Sequence, residues 1–260
     1  MLRRVSHEAA VDISGIGIGC TGPVDPSTGI IGQVSFLPGW EGANVVEGLS
    51  QEFGVPTALE NDADATALAE ASWGWGRGKT QFICVTVGTG IGGGVMLDGR
   101  LYRGVDGSHP EIGHHVLDPS GPRCFCGAYG CWESLASGPA MVNWLRANTP
   151  SRSARAANMT AAEICRLAER GDYLARQAVI REAYYLGLGL ANLITLFTPD
   201  AIALGGGLME SAHLFLDDAR RVIARNCGLV PFGKTQIGVA SLGPDTGLIG
   251  AARVWYHRFG

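Results

Sequence analysis

The chain alternates short, nearly unbroken apolar runs with longer stretches of helical character. Phe82–Val87 (FICVTV) is apolar at almost every position, the pattern of a buried strand. Asp98-Gly99, set between apolar residues, is a hairpin signal, so Val95–Tyr102 reads as strand and not helix. Val11–Gly19, Phe53–Leu59, Ala201–Leu204 and Gln236–Leu242 predict further strands. Alanine-rich Ala63–Ser72 and the segment Pro139–Ala147 predict helices. Thr160-Ala161-Ala162-Glu163 is a capping box that opens a helix ended by Gly171. Asp172–Phe197 predicts a long helix in which Gly187 and Gly189 permit close packing, and Glu210–Arg225 a charge-rich one. A last helix opens at Asp245-Thr246-Gly247 and runs through Tyr256, while 147–158 reads as an exposed polar connection.

Composition narrows the class. The 260 residues, 46% hydrophobic and 17% charged, suit a globular chain of one large or two modest domains. A net charge of −4 offers no basic footprint for nucleic acid. Met1-Leu2-Arg3-Arg4 is basic, but His7, Glu8 and Asp12 stand where a signal peptide needs an apolar core. The charge-free run Ala183–Pro199 is broken by Gly187, Gly189 and Asn192 and falls short of the roughly 20 residues of a membrane span, so it reads as a buried helix. Seven cysteines, an odd number beside a candidate metal site, point to a reducing, cytoplasmic setting. Cys20, Cys84, Cys165 and Cys227 read as buried small hydrophobes. The 39 glycines cluster at Gly88–Gly94 and Gly205–Gly207, as backbone that approaches a ligand would.

The densest chemistry lies in His109–Glu133. Cys124, Cys126 and Cys131 follow His114, and three thiolates with one imidazole make a complete tetrahedral zinc set of the structural kind. Gly121, Pro122, Gly127 and Gly130 allow the turns this needs. The alternatives are free cysteines in a loop, or a nucleic-acid knuckle, which C-x-C spacing fits poorly. His109 and His115 read as ordinary loop residues. Glu60-Asn61-Asp62 falls at a strand-to-helix junction, where Asn61 or Asp62 serves as an N-cap or, at a cleft mouth, as a ligand-binding carboxylate or amide. Two literal G-x-G-x-x-G matches fail on context. Gly17–Gly22 is followed by Pro23 and Pro26, and Gly88–Gly93 by a strand, which excludes a Rossmann site and a Walker loop.

Glu111-Ile112-Gly113-His114 followed by C-x-C-G-x-x-G-C-x-E resembles the signature of ROK proteins (repressors, open reading frames and kinases), most of which are sugar kinases. The resemblance implies that His114, Cys124, Cys126 and Cys131 hold zinc. It implies that Asn61, Asp62, Glu111, His114 and Glu133 bind a hexose, Asp62 being the catalytic base and His114 using one ring nitrogen for each task. The G-P-V-D turn at Gly22–Asp25 and the loop Leu37-Pro38-Gly39-Trp40 are similar to family elements, the latter closing over the sugar; a surface turn with a buried Trp is the other reading of that loop. Gly88-Thr89-Gly90 is similar to the strand–loop–strand phosphate element of actin-like ATPases. Gly205-Gly206-Gly207 is similar to the run that contacts adenosine, or is a plain strand–helix turn.

The fold so implied is α/β, a two-domain actin-like ATPase (ribonuclease H-like) fold, incomplete at its N-terminus. Residues 1–63 with 246–260 would form the small domain and 64–245 the large one. The Asp-x-Gly-Gly-Thr loop that opens such kinases is absent from the sequence; Asp12–Gly17 is the nearest text and enters the pattern late. The expected activity is Mg-ATP-dependent phosphorylation of a hexose at C6, as in glucokinases. The alternative is a sugar-binding protein without transfer; a repressor would need a helix-turn-helix segment before Val11. Pro110 before Glu111 is similar to fructokinase-like members, and the substrates the family admits are glucose, N-acetylmannosamine, mannose and fructose. A homodimer is expected, with no nucleic-acid or membrane partner.

Overall fold

A computed structural model describes residues 2–9, 11–33, 37–149 and 159–260. A five-stranded sheet lies at the centre, ordered β7 (Arg100–Leu101), β6 (Ile91–Leu97), β5 (Phe82–Val87), β8 (Ala201–Gly205), β9 (Gln236–Val239). β5 pairs antiparallel with β6 and parallel with β8, and β8 parallel with β9. Successive side chains of β5 point to opposite faces, and both faces are covered. Ile83, Val85 and Val87 join a large core with Trp132, Leu186, Leu190 and Ile194, whereas Phe82 and Cys84 join a smaller one with Ala67, Leu68 and Val254. This double burial is why FICVTV lacks alternation. The larger core is built with α4 (Trp132–Ala136), α5 (Gly138–Asn148), α6 (Ala161–Glu169), α7 (Tyr173–Phe197) and α8 (Leu216–Asn226). A Cβ on Gly189 of α7 would lie 2.0 Å from the Trp132 indole, so the glycine sets how near α7 approaches.

The smaller core is shared with a second, parallel pair of strands, β1 (Ile16–Cys20) and β4 (Thr57–Asn61). α3 (Asp62–Trp73) and α9 (Thr246–Phe259) pack together here, and α3 also meets β5 and β6. The remaining elements are α1 (Leu2–Ala9), the short antiparallel pair β2 (Val24–Asp25) and β3 (Ile30–Ile31), and α2 (Val45–Phe53).

Several boundaries differ from the sequence expectation. Phe53 ends helix α2 rather than starting a strand: Asn44 accepts from the Glu47 N–H at its head, and Gly54 closes its foot at φ 67°. The strand expected over Val11–Gly19 begins only at Ile16. The helix expected over Glu210–Arg225 is a 3₁₀ segment, Gly207–Leu214, followed by α8. β9 stops at Val239 because the N–H groups of Ser241 and Leu242 turn to the buried Glu70 carboxylate, each 2.9 Å away. α9 runs past Tyr256 to Phe259. Of the predicted exposed connection, 150–158 lie outside the described residues. The Thr160–Glu163 capping box forms as expected. Cys84, Cys165 and Cys227 are buried, but Cys20 is only half-buried.

Glu182 of α7 is fully buried, and neither carboxylate oxygen has a hydrogen-bond partner among the described residues. Burial pushes its pKa from 4.5 to about 8, with Arg181 opposing. Between those values the folded protein holds a proton that the unfolded chain has released, so this group's stability contribution is complete below the lower value and is lost as pH rises through the upper. Urea denaturation of wild type and Glu182→Gln between about pH 5 and 8 should show wild type losing up to about 1.4 kcal/mol per pH unit relative to the variant.

Candidate functional site

β4 ends at Asn61 and α3 begins at Asp62. Asn61 is buried, and its side-chain oxygen caps α3 by accepting from the Ala63 N–H at 2.8 Å and the Asp64 N–H at 3.3 Å. Capping therefore occupies the oxygen and turns the amide nitrogen toward the turn after β1, where a Cβ on Gly22 would sit 2.9 Å from it. Asp62 is exposed, and one of its oxygens accepts from the Ala63 N–H at 2.8 Å. Burial, then the Asp62 charge, pushes the Cys20 thiol pKa up.

The glycines after β5 divide into two groups. Gly88-Thr89-Gly90 forms the β5–β6 turn, with the Gly88 N–H donating to the Gly90 carbonyl at 2.9 Å. Gly92, Gly93 and Gly94 are interior residues of β6, and their lack of side chains serves packing, a correction to their reading as ligand-facing backbone. A Cβ on Gly92 would lie 3.3 Å from Ala63, on Gly93 2.4 Å from Ile112, and on Gly94 2.5 Å from Ala67. The parallel register sets Thr86 opposite Gly205, so the turns after β5 and β8 emerge side by side. A Cβ on Gly88 would be 3.8 Å from the Gly207 nitrogen, and one on Gly206 only 2.4 Å from the Val87 carbonyl.

Glu133, on the first turn of α4, reaches the same place: its carboxylate accepts from the Ile91 N–H at 2.8 Å. Gly113 packs against the Ile91 carbonyl, where a Cβ would approach to 1.9 Å, so the Glu111–His114 segment also converges there. Glu111 is exposed. Gly39 occupies a turn at φ 86°, and a Cβ there would meet nothing within 4 Å among the described residues. The neighbouring Trp40 is 50% exposed, so the reading of a buried Trp at that turn is corrected.

In the cysteine loop, the ligand atoms of His114, Cys124, Cys126 and Cys131 all lie within 4.8 Å of one another. His114 Nδ1 is 3.5 Å from Cys124 Sγ, and the sulfurs of Cys126 and Cys131 are 3.6 Å apart. Zn–S bonds of about 2.3 Å at tetrahedral angles place sulfurs about 3.8 Å apart, so the residues fit that ion. Backbone bridges between Val116 and Cys131 and between Arg123 and Tyr129 close the loop. His115 stands outside the set, its Nδ1 facing the Ile112 carbonyl and its ring packed on Trp132.

Sequence reasoning missed a group beside the junction. His109, read as an ordinary loop residue, places Nδ1 2.7 Å from the fully buried Asp64 carboxylate. Arg103 lies 2.6 Å from Asp64 and 2.7 Å from Glu60. Burial pushes the Glu60 carboxyl up, and the Arg103 charge opposes it. The only available signal was the acidic density of Glu60-Asn61-Asp62-Ala63-Asp64 ahead of an apolar helix face, which requires buried partners.

The ROK family profile matches residues 3–258. A glucokinase of Streptomyces coelicolor is 35% identical over 265 residues, 96% of this chain and 81% of that protein. The crystal structure of a ROK hexokinase from Thermus thermophilus, 36% identical, covers 98% of this chain and 83% of its own, with a TM-score of 0.83. A ROK glucokinase from Streptomyces griseus, in complex with glucose and AMPPNP, is 33% identical over 96% of this chain and 85% of its own, with a TM-score of 0.82. The xylose repressor of Bacillus subtilis is 30% identical over 94% of this chain, which spans 62% of that protein. The fold is the actin-like ATPase fold of the ROK kinase structures.

The cysteine loop closes only with glycine at 130, at φ 65°, where a Cβ would fall 1.6 Å from the Asp118 carbonyl. Gly130→Ala should cost at least about 1–2 kcal/mol in urea denaturation and make Cys124 and Cys131 more reactive to a thiol reagent, whereas Gly127→Ala, whose Cβ meets nothing, should cost only the left-handed strain.

Proposed function

The chain belongs to the ROK family, and from that premise we propose that it is an ATP-dependent hexose kinase acting on the C6 hydroxyl, with Asp62 as general base. Its sugar-kinase relatives, glucokinases among them, support sugar phosphorylation. The observation that carries the finer reading is the convergence on the start of β6. Glu133 grips the Ile91 N–H, Gly113 packs on the Ile91 carbonyl, and Ala63, next to Asp62, packs on Gly92. One patch of backbone thus gathers the candidate base, the candidate sugar ligands and the glycine turn.

In this reading the exposed Asp62 carboxylate accepts the hydroxyl proton. The amide nitrogen of Asn61, with Glu111, His114 and Glu133, orients the ring, and Gly39 belongs to the turn that closes over it. The backbone at Gly88, Thr89 and Gly90 receives phosphate, and Gly205, Gly206 and Gly207 leave room for a flat purine. Mg-ATP supplies the phosphoryl group when bound. Closure excludes water, which competes with the sugar as acceptor. His114, Cys124, Cys126 and Cys131 hold a structural zinc; Nδ1 faces the thiols, which leaves Nε2 as a fixed donor for a sugar hydroxyl. The same reading makes the protein a cytoplasmic homodimer. No helix among the described residues is long and apolar enough to cross a membrane.

The presence of xylose repressors among the relatives supports a second reading, a sugar-binding protein without transfer. ADP release with Mg-ATP and glucose, N-acetylmannosamine, mannose or fructose decides between them. Turnover on one sugar is the expected result; calorimetric sugar binding without ADP release would select the second reading. Asp62→Asn should lower kcat by about 10²–10⁴ and leave sugar affinity within a few-fold, and near wild-type turnover by this variant would remove Asp62 as base. Metal analysis should find about one zinc per chain, lost in Cys131→Ser, with a lower melting temperature on chelation.

A further inference from the structure

Asp64 is 0% exposed, and Arg103 and His109 both converge on its Oδ2. Arg103 also reaches Glu60, whose other oxygen accepts from the Asn61 N–H at 3.0 Å. The resulting chain, His109–Asp64–Arg103–Glu60–Asn61, brackets the Asn61-Asp62 junction from both sides. His109 meanwhile lies two residues before Glu111 in sequence. The stretch between Arg103 and His109 folds back on itself, with the Gly104 N–H donating to Ser108 at 2.9 Å and Val105 79% exposed. Its two feet are therefore pinned to the start of α3 while its tip faces solvent.

Such a cluster is a poor device for stability alone. Burying two carboxylates costs several kcal/mol per ion, and apolar side chains of similar volume often do as well or better. Asp64 Oδ1 lacks any hydrogen-bond partner among the described residues. What the charges supply is fixed geometry between two segments that no shared strand or helix connects. We propose that Arg103 and His109 are positioning residues of the sugar site: they hold the segment bearing Glu111 and His114 in register with the junction bearing Asn61 and Asp62. This rests on the hexose-binding reading given above. His109 governs mainly sugar binding, because its foot leads into Glu111. Arg103 governs binding and turnover together, because it also holds the strand end that precedes Asp62.

The test compares His109→Ala with His109→Asn, whose side-chain nitrogen stands near the place of Nδ1, and adds Arg103→Met. His109→Ala should raise hexose KM and calorimetric Kd about tenfold with kcat and ATP KM within about twofold, and His109→Asn should restore most of the binding. Arg103→Met should lower kcat as well as binding. Variants with lower melting temperatures but wild-type hexose KM, Kd and kcat would overturn the proposal, leaving a structural cluster only. If Arg103→Met fails to fold, the two His109 variants decide alone. A wild-type protein that neither binds nor phosphorylates any hexose is a failure of the kinase reading itself. Amide hydrogen exchange over Glu111–His114 then decides the tie: protection lost in His109→Ala and kept in His109→Asn supports it, and equal protection in all three proteins overturns it.

Discussion

The closeness of backbone at the start of β6 is the constraint on which the rest of the site depends. A strand carrying ordinary side chains at 92, 93 and 94 would hold α3 and the Ile112 segment several ångströms away, because a Cβ at each position would already touch Ala63, Ile112 or Ala67. With glycine there, a helix and an irregular segment lie directly on the strand, and the carboxylate of a second helix reaches the Ile91 N–H between them. The cost is conformational, since glycine in a strand forfeits entropy and side-chain packing. Burial of β5 on both faces and its central place in the sheet offset that cost.

The same logic explains where the candidate groups sit. β4 ends at Asn61, β5 at the Gly88–Gly90 turn and β8 at Gly205, so each candidate patch follows the carboxyl end of a strand that has a parallel neighbour. Parallel strands return through helices, which leaves their carboxyl ends open to a cleft while the connections cover the faces. Asn61 shows how little spare capacity such a place has. Its oxygen satisfies two N–H groups of α3, so only its nitrogen remains for a ligand. The junction is rigid because the groups that could bind also build it.

Much of this was legible in the sequence, for identifiable reasons. FICVTV reads as a buried strand and is one, Asp98-Gly99 reads as a hairpin turn and makes it, and Thr160–Glu163 caps the helix it announces. The four residues of the candidate metal site were legible because thiolate spacing and turn glycines are local signals. What failed was non-local. Phe53 reads as strand until Asn44 and Gly54 are seen capping the helix around it. Gly92–Gly94 read as ligand-facing because the α3 surface they accommodate lies some thirty residues upstream in the chain. His109 looked unremarkable because its partner, Asp64, is 45 residues away.

That pattern bears on how the charges beside the site should be understood. The ion pairs of α8, Arg220 with Asp217 and Arg221 with Asp218, are local and exposed, and pairs of this kind contribute little. Arg103 and His109 are distant in sequence from Asp64, which is fully buried while they are partly so, and their pairing ties the start of α3 to the segment after β7. Packing and charge act on the same contact: glycine lets the surfaces meet, and the half-buried Arg103 guanidinium bridges Glu60 and Asp64 beside it. Such a fold can keep its core unchanged while the residues at 103 and 109 vary. Geometry at the edge of the candidate site can then change without any change in the strands beneath it.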